Sequence, residues 1–228
     1  MSGREEILGR IREALSVKSD AGVKGTAGDG IRDVRAARGF LPPGGETPAE
    51  RLQRFQELAG KLKAEVVRVP DAASAAAGIR ELAASEGWSR VAAHHHPLVE
   101  EVLAGQEPVW TEDAPGIAVL EAVDAGVTAC EALIAQTGSV LVTSKGCGGR
   151  ALSVLPPHHV VVATMDQLMP DMLAGFDHLR ARYGETMPSF ISFITGASRT
   201  GDIERILVLG AHGPKKLTIF IVGALSEG

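Results

Sequence analysis

The chain has 228 residues, with 23 Lys plus Arg against 28 Asp plus Glu for a formal net charge of −5, and 4% of it is aromatic. A chain of that length buries a full core without disulfide or metal staples, while weak acidity and few stacking platforms argue against nucleic-acid binding as its main task. Its two cysteines, Cys130 and Cys147, are too few for a cysteine-ligated iron–sulfur cluster or a four-cysteine zinc site held by this chain alone. No apolar run is long enough to span a bilayer, and Met1–Leu15 is charged rather than signal-like, so a cytoplasmic location is expected.

Ile7, Leu8, Ile11 and Leu15 recur at helical spacing and predict an opening helix. Residues 16–45 carry many glycines and charges, a Pro-Pro pair and few large apolar side chains, which predicts a loosely ordered arm. Residues 1–46 are therefore set apart from an α/β domain over 47–228. Thr47 as N-cap, Pro48 at the first helical position and Glu50 three residues on predict a capped helix. Its buried stripe is expected at Leu52, Phe55, Leu58 and Leu62. Short β runs then alternate with helices: a strand at Val66–Val69, a helix from Asp71 to Gly87, a strand at Arg90–Ala93, a short helix from Pro97 and a strand at Ile117–Leu120. That rhythm implies a largely parallel sheet with helices on both faces.

The second half departs from it. Ala132–Gln136 and Ser139–Thr143 are β-like runs separated only by Thr137-Gly138, which permits a hairpin and forbids a parallel crossover. A buried strand is expected at His159–Thr164, a helix from about Met169 to Tyr183 ended by Gly184, and a strand at Ser189–Thr195. Ile206–Leu209 and Leu217–Val222 are joined by too few residues for a crossover and are expected to pair antiparallel. The fold class predicted is α/β, a three-layer sandwich with a mixed, mainly parallel sheet.

Several segments could carry chemistry. Ile194–Glu204 runs from a strand through Gly196 into a small polar loop and a helical turn that Ser198 or Thr200 could cap. Arg199 and the loop amides suit a carboxylate or phosphate. The Gln136–Ser139 turn offers the Thr137 and Ser139 hydroxyls beside Gly138, which tolerates positive φ. Ser144–Arg150 is a glycine-rich basic loop in which Lys145 could reach an anion, although it does not match a P-loop. Cationic neighbours could lower the Cys147 pKa. Strand alternation could place His94 and His96 on one side as two metal ligands, with no third ligand identifiable, so no metal site is assigned. His212, in the connection after the Ser-Arg-Thr loop, is the catalytic acid/base candidate. Thr137, Gly138, Ser139, Gly196, Ser198, Arg199, Thr200 and His212 are predicted to line one concave surface at strand ends.

Three stretches carry a family resemblance: Gly126-Val-Thr128 leading into Ile134-Ala-Gln-Thr-Gly-Ser139; Leu155-Pro-Pro-His-His-Val-Val-Val162; and Thr195–Glu204 followed by Leu209-Gly-Ala-His-Gly-Pro214. In these the sequence resembles the lactate-utilisation protein C family, the LUD-domain proteins, across roughly residues 120–222. One departure is Gln136, where the family pattern often has glutamate. The resemblance implies a fold similar to sugar-phosphate isomerases, CoA transferases and folate cyclo-ligases. It also implies membership of a three-protein system oxidising L-lactate to pyruvate whose other members are iron–sulfur proteins. The expected function is an accessory component of that system, with no cofactor of its own and an anionic small molecule at the strand ends. The alternative is a stand-alone enzyme acting on a carboxylated or phosphorylated metabolite, which a convergent carboxylate would support.

Overall fold

The computed structural model describes residues 42–200, 208–209 and 213–224, with Arg199, Thr200, Val208 and Leu209 described through their backbone alone. The expected opening helix and the arm up to Leu41 lie outside these residues. Pro42–Glu46 are held against the domain: the Gln136 side-chain amide donates to the Pro42 carbonyl at 2.8 Å, and Arg51 Nε donates to the Gly45 carbonyl at 3.1 Å.

Helix α1 spans Pro48–Lys61 with both halves of the expected capping box formed, Thr47 Oγ1 accepting from Glu50 N at 3.2 Å and Glu50 reaching back to the Thr47 N–H. It buries Leu52, Phe55 and Ala59, a three-to-four-residue spacing that gives one face. Strand β1 (Ala64–Val69) follows, then α2 (Ala72–Glu86), capped by Asp71 and ended by Gly87 at φ 69°. Next come β2 (Val91–Ala93), α3 (Pro97–Val102) and β3 (Val109–Trp110).

The strand expected at Ile117–Leu120 is instead helix α4 (Ile117–Glu121), and β4 is Ala125–Thr128. Four apolar residues have no period that separates a strand from one helical turn. Burial decides: Gly116 at φ 77° turns the chain, Leu120 and Val123 go inward three residues apart, and Ile117 is left 66% exposed. Gly126 in β4 is required because a Cβ there would collide with the Leu152 carbonyl.

The later elements are β5 (Ala132–Ile134), β6 (Ser139–Thr143), β7 (His158–Thr164), β8 (Leu168–Met169), α5 (Met172–Tyr183), β9 (Ile191–Ile194), β10 (Arg199–Thr200), β11 (Val208–Leu209) and β12 (Lys216–Val222). Parallel and antiparallel pairs are segregated. A six-stranded sheet in the order β1-β12-β7-β4-β2-β3 is parallel throughout, while β8-β5-β6-β9 form a second sheet with the β5–β6 hairpin and an antiparallel β6–β9 pair. β11 and β12 do not pair, contrary to expectation. β12 is a central buried strand with β1 on one edge and β7 on the other, so no edge is left, and β11 pairs with β10. Arg199–Thr200 are extended, and the rest of the stretch in which a helical turn capped by Ser198 or Thr200 is expected, residues 201–207, lies outside the described residues.

Strand alternation builds the layers. Leu217, Ile219 and Ile221 of β12 join Val161 and Ala163 on one face, against α1 and the Leu133, Val140 and Val142 side chains of the second sheet. Phe220, Val160 and Val162 face the other way, under α2 and α3. Ala132, Ile134 and Leu141 cover the far side of the second sheet, beneath Leu179 and Phe176 of α5. The predicted α/β class therefore holds, with the large parallel sheet sandwiched between helices on one side and α1 plus the small sheet on the other.

His159 sits inside this core with no exposed surface, its Nε2 2.9 Å from Thr128 Oγ1 and its Nδ1 without a partner. A bare acceptor is cheaper to bury than an N–H, so Nε2 donates to Thr128 and Nδ1 carries the lone pair. Burial holds its pKa down to about 3, from an ordinary 6.5. A depressed histidine pKa means that the unfolded chain binds more protons between those values. Its stability contribution is complete above the unfolded pKa and drains away as pH falls towards the folded one. At pH 5 the loss amounts to about 2 kcal/mol from this residue. Urea denaturation at pH 7 and pH 5 should show that fall in the native chain and a shallower one in His159→Gln; parallel slopes would show that His159 is not its source.

Candidate functional site

All six strands of the large sheet run the same way, so their carboxyl ends share one edge. In open α/β sheets that edge is where ligand crevices form. β2 ends there in His94-His-His96 and β4 in Ala129-Cys-Glu131. The loop Ser144–Arg150 leaves the end of β6 beside them, and α5 brings Arg182. Together they border an open cleft of about 400 Å³, lined by His94–His96, Thr111, Glu112, the Ser144–Gly149 loop and Arg182.

The three consecutive histidines have three different roles. His94 is buried, and its Nε2 accepts the Ala129 backbone N–H at 3.0 Å. Burial, reinforced by His96, holds its pKa down to about 4, so it is neutral. His95 stacks on Trp110 with ring centroids 4.4 Å apart, and its Nδ1 lies 2.9 Å from Glu100 Oε1. His96 is the N-cap of α3, with Nδ1 accepting from Leu98 N at 3.2 Å. The His94 and His96 rings are 5.8 Å apart, and each has one nitrogen committed to a backbone amide. Among the described residues no group of three or more His, Cys, Asp or Glu could hold a metal ion.

Beneath the cleft lies Glu131, only 1% exposed. Its Oε1 accepts from Thr143 Oγ1 at 2.7 Å and from Tyr183 OH at 2.5 Å. Its Oε2 lies 3.0 Å from Arg182 Nη1 and 3.6 Å from His178 Nε2. Gly146 packs directly over it, since a Cβ at that position would collide with Oε1. Burial and the adjacent Glu131 carboxylate raise the Tyr183 pKa, so the phenol stays a donor. Arg182 is thus shared, pinned to a buried carboxylate at one end and lining the cleft with its half-exposed side chain.

The ligand residues expected from the sequence fall into two groups. Lys145 lines the cleft; its Nζ donates to the Thr186 carbonyl at 2.6 Å and lies 5.7 Å from the centre of the Tyr183 ring. The others sit at the opposite end of β6. Ser139 Oγ is 2.8 Å from both Thr137 Oγ1 and Thr195 Oγ1, so these hydroxyls bond to one another. A Cβ on Gly138 (φ 66°) would collide with Leu58 and Ala59 of α1, and one on Gly196 (φ 79°) with Leu62, so both glycines are close-packing points. Ser198 N donates to the Pro214 carbonyl at 2.9 Å, just ahead of β12, and Lys215 N to the Pro157 carbonyl at 2.8 Å, just ahead of β7. The Ser198 loop therefore lies beside the amino ends of the parallel strands, away from Lys145. The side chains of Arg199 and Thr200, and His212 altogether, lie outside the described residues.

Two residues escaped the sequence reading. Glu131 is the lone charge in the buried run 125–135, and that interruption was the available signal. Arg182 falls four residues after His178 on α5, a spacing that puts both on one face, but nothing in sequence ties that face to Glu131. Cys147 is corrected: it is 2% exposed, and burial outweighs Arg182 and pushes its thiol up to about 12. The Gln136 side chain is committed to the Pro42 carbonyl.

These features define an α/β protein with a polar, cation-bearing cleft at the carboxyl ends of parallel strands. The chain belongs to the LUD domain family, whose model matches residues 52–222, as the resemblance anticipated. It is 36% identical over 121 residues to Lactate utilization protein C of Bacillus subtilis, covering 50% of each chain. It is 35% identical over 120 residues to the protein of that name from Deinococcus radiodurans, covering 52% of this chain and 56% of the other. With the uncharacterized protein YkgG of Escherichia coli it shares 36% identity over 118 residues, 50% of this chain and 51% of that one. The chain spans about half the length of the curated relatives it matches. Among solved structures, a DUF162 family protein from Deinococcus radiodurans shares the fold, with a TM-score of 0.62 at 23% identity over 78% of this chain and all of that one.

Two outcomes test this geometry. Glu131→Ala should cost about 1–3 kcal/mol in denaturant unfolding, because it leaves the buried Thr143 hydroxyl without its acceptor while half-exposed Arg182 turns to water; Glu131→Gln should cost less. At pH 8 neither Cys130 nor Cys147 should react with Ellman's reagent in the folded chain, whereas both should react once it is unfolded.

Proposed function

We propose that this chain is a component of an L-lactate utilisation system in the cytoplasm, accessory to iron–sulfur partner proteins, and that its cleft binds a small anion. The likeness to proteins named Lactate utilization protein C supports the system. With two buried cysteines, the chain offers no thiolate set for a cluster of its own, so electrons would pass through partners. Among the described residues no helix is long and apolar enough to cross a membrane. The observation that carries the anion site is the Arg182 guanidinium, fixed at the cleft by its 3.0 Å ion pair with buried Glu131. Its planar fork suits a carboxylate, and holding it in place before binding lowers the ordering cost.

A second reading draws on Glu131 itself. It is a convergent carboxylate under a cationic cleft, the feature that a stand-alone enzyme for a carboxylated or phosphorylated metabolite would need. Its 1% exposure weighs against direct contact with a ligand, so the accessory reading is preferred.

Calorimetric titration with L-lactate and pyruvate should show binding that Arg182→Gln weakens roughly ten- to a hundredfold, the value of one charge-assisted pair. Lys145→Gln should weaken it too, and Arg199→Ala should leave it unchanged. Affinity lost in Arg199→Ala but not in Arg182→Gln would move the site to the other end of β6. A pull-down at native expression should recover cysteine-rich iron–sulfur proteins. Lactate oxidation by the purified chain alone would overturn the accessory role.

A further inference from the structure

His96 is more constrained than a half-buried histidine at a cleft usually is. α3 begins with Pro97, which has no N–H, so the Leu98 amide is the first in the helix that needs an acceptor. His96 Nδ1 supplies it at 3.2 Å. A backbone amide can only donate, so Nδ1 must hold a lone pair, and in the neutral ring the proton resides on Nε2. Among the described residues no protein group bonds Nε2, and it is not among the buried atoms left without a partner. The ring lines the cleft, so Nε2–H is the atom it offers to a ligand.

Burial favours the neutral form of the ring. Burial and the Arg182 cation lower its pKa, while Glu131 and Glu100 act the other way and are outweighed. Glu131 is already paired with Arg182, and Glu100 lies with His95. His94 beside it is neutral, and the cleft is lined by Glu112 as well as by Lys145. The cleft therefore presents two kinds of donor: fixed positive charge on Arg182 and Lys145, and a neutral, orientation-locked N–H on His96.

We propose that His96 is the specificity-determining residue of the cleft, an Nε2–H donor that binds an acceptor oxygen on the carbon next to the carboxylate held by Arg182. The cleft would then select 2-oxo and 2-hydroxy acids over plain carboxylic acids. This rests on the anion-binding reading of the same cleft and adds to it the atom that distinguishes one carboxylate from another. A site with a committed donor penalises a ligand lacking the matching oxygen, because the donor is stripped of water and left unpaired.

The test is a comparison of pyruvate with propionate, which has the same length and charge and lacks the oxygen. In the native chain pyruvate should bind at least tenfold more tightly. His96→Phe should bring that ratio close to one while leaving propionate affinity in place; His96→Gln, which keeps a side-chain N–H, should restore part of it. Since each variant also alters the α3 cap, thermal melting is followed alongside, and the ratio of two ligands on one variant is insensitive to a uniform loss of folded protein. Nitrogen-15 spectra of the ligand-free chain should show His96 protonated at Nε2 and bare at Nδ1. Equal binding of pyruvate and propionate to the native chain, or the opposite tautomer, overturns the role of His96 and leaves the anion cleft standing. Binding of neither acid overturns both.

Discussion

One buried carboxylate ties the site to the fold. Glu131 stands at the start of β5; its Oε1 accepts from Thr143 at the end of β6 and from Tyr183 at the end of α5, and its Oε2 forms an ion pair with Arg182. Gly146 seals it from the loop side. A charge taken out of water at this depth is tolerated only when hydrogen bonds and an opposite charge meet it. The second sheet, α5 and the glycine-rich loop must therefore hold their relative positions for Glu131 to be accommodated at all. The same constraint sets the Arg182 guanidinium at the cleft. Site geometry and core stability are in this way one problem.

The parallel sheet supplies the rest. With every strand in one direction, the loops after β2 and β4 emerge on the same edge, where backbone amides outnumber the secondary-structure partners available to them. Two of those amides, of Ala129 and Leu98, are satisfied by histidine ring nitrogens. Each bond fixes a tautomer. His94 is turned into a structural acceptor and His96 into a donor facing the cleft, although the two are nearly adjacent in sequence and identical in chemistry. The difference comes from depth and from which amide lies within reach. The turn at Gln136–Ser139 and the loop at Ser198 emerge on the other edge, where glycines serve close packing against α1.

Local chemistry in the sequence determined much of this. The Thr47 capping box, the Asp71 cap with Gly87, the Pro97 start, the β5–β6 hairpin and the continuous buried run of His159–Thr164 are each written in a few neighbouring residues, because caps, turns and short apolar runs are short-range effects. The α/β class followed from their order, and the LUD family from three short stretches. Tertiary structure decided what depends on distant partners. Whether Ile117–Leu120 coils or extends depended on what lay beneath Leu120. Whether β12 paired with β11 depended on β1 and β7 having taken both its edges. Whether Cys147 was reactive depended on burial outweighing a nearby cation. The placement of Lys145 away from Ser139, and of Arg182 against Glu131, depended on strand direction and helix docking, which bring together residues some fifty positions apart by forces that no local pattern records.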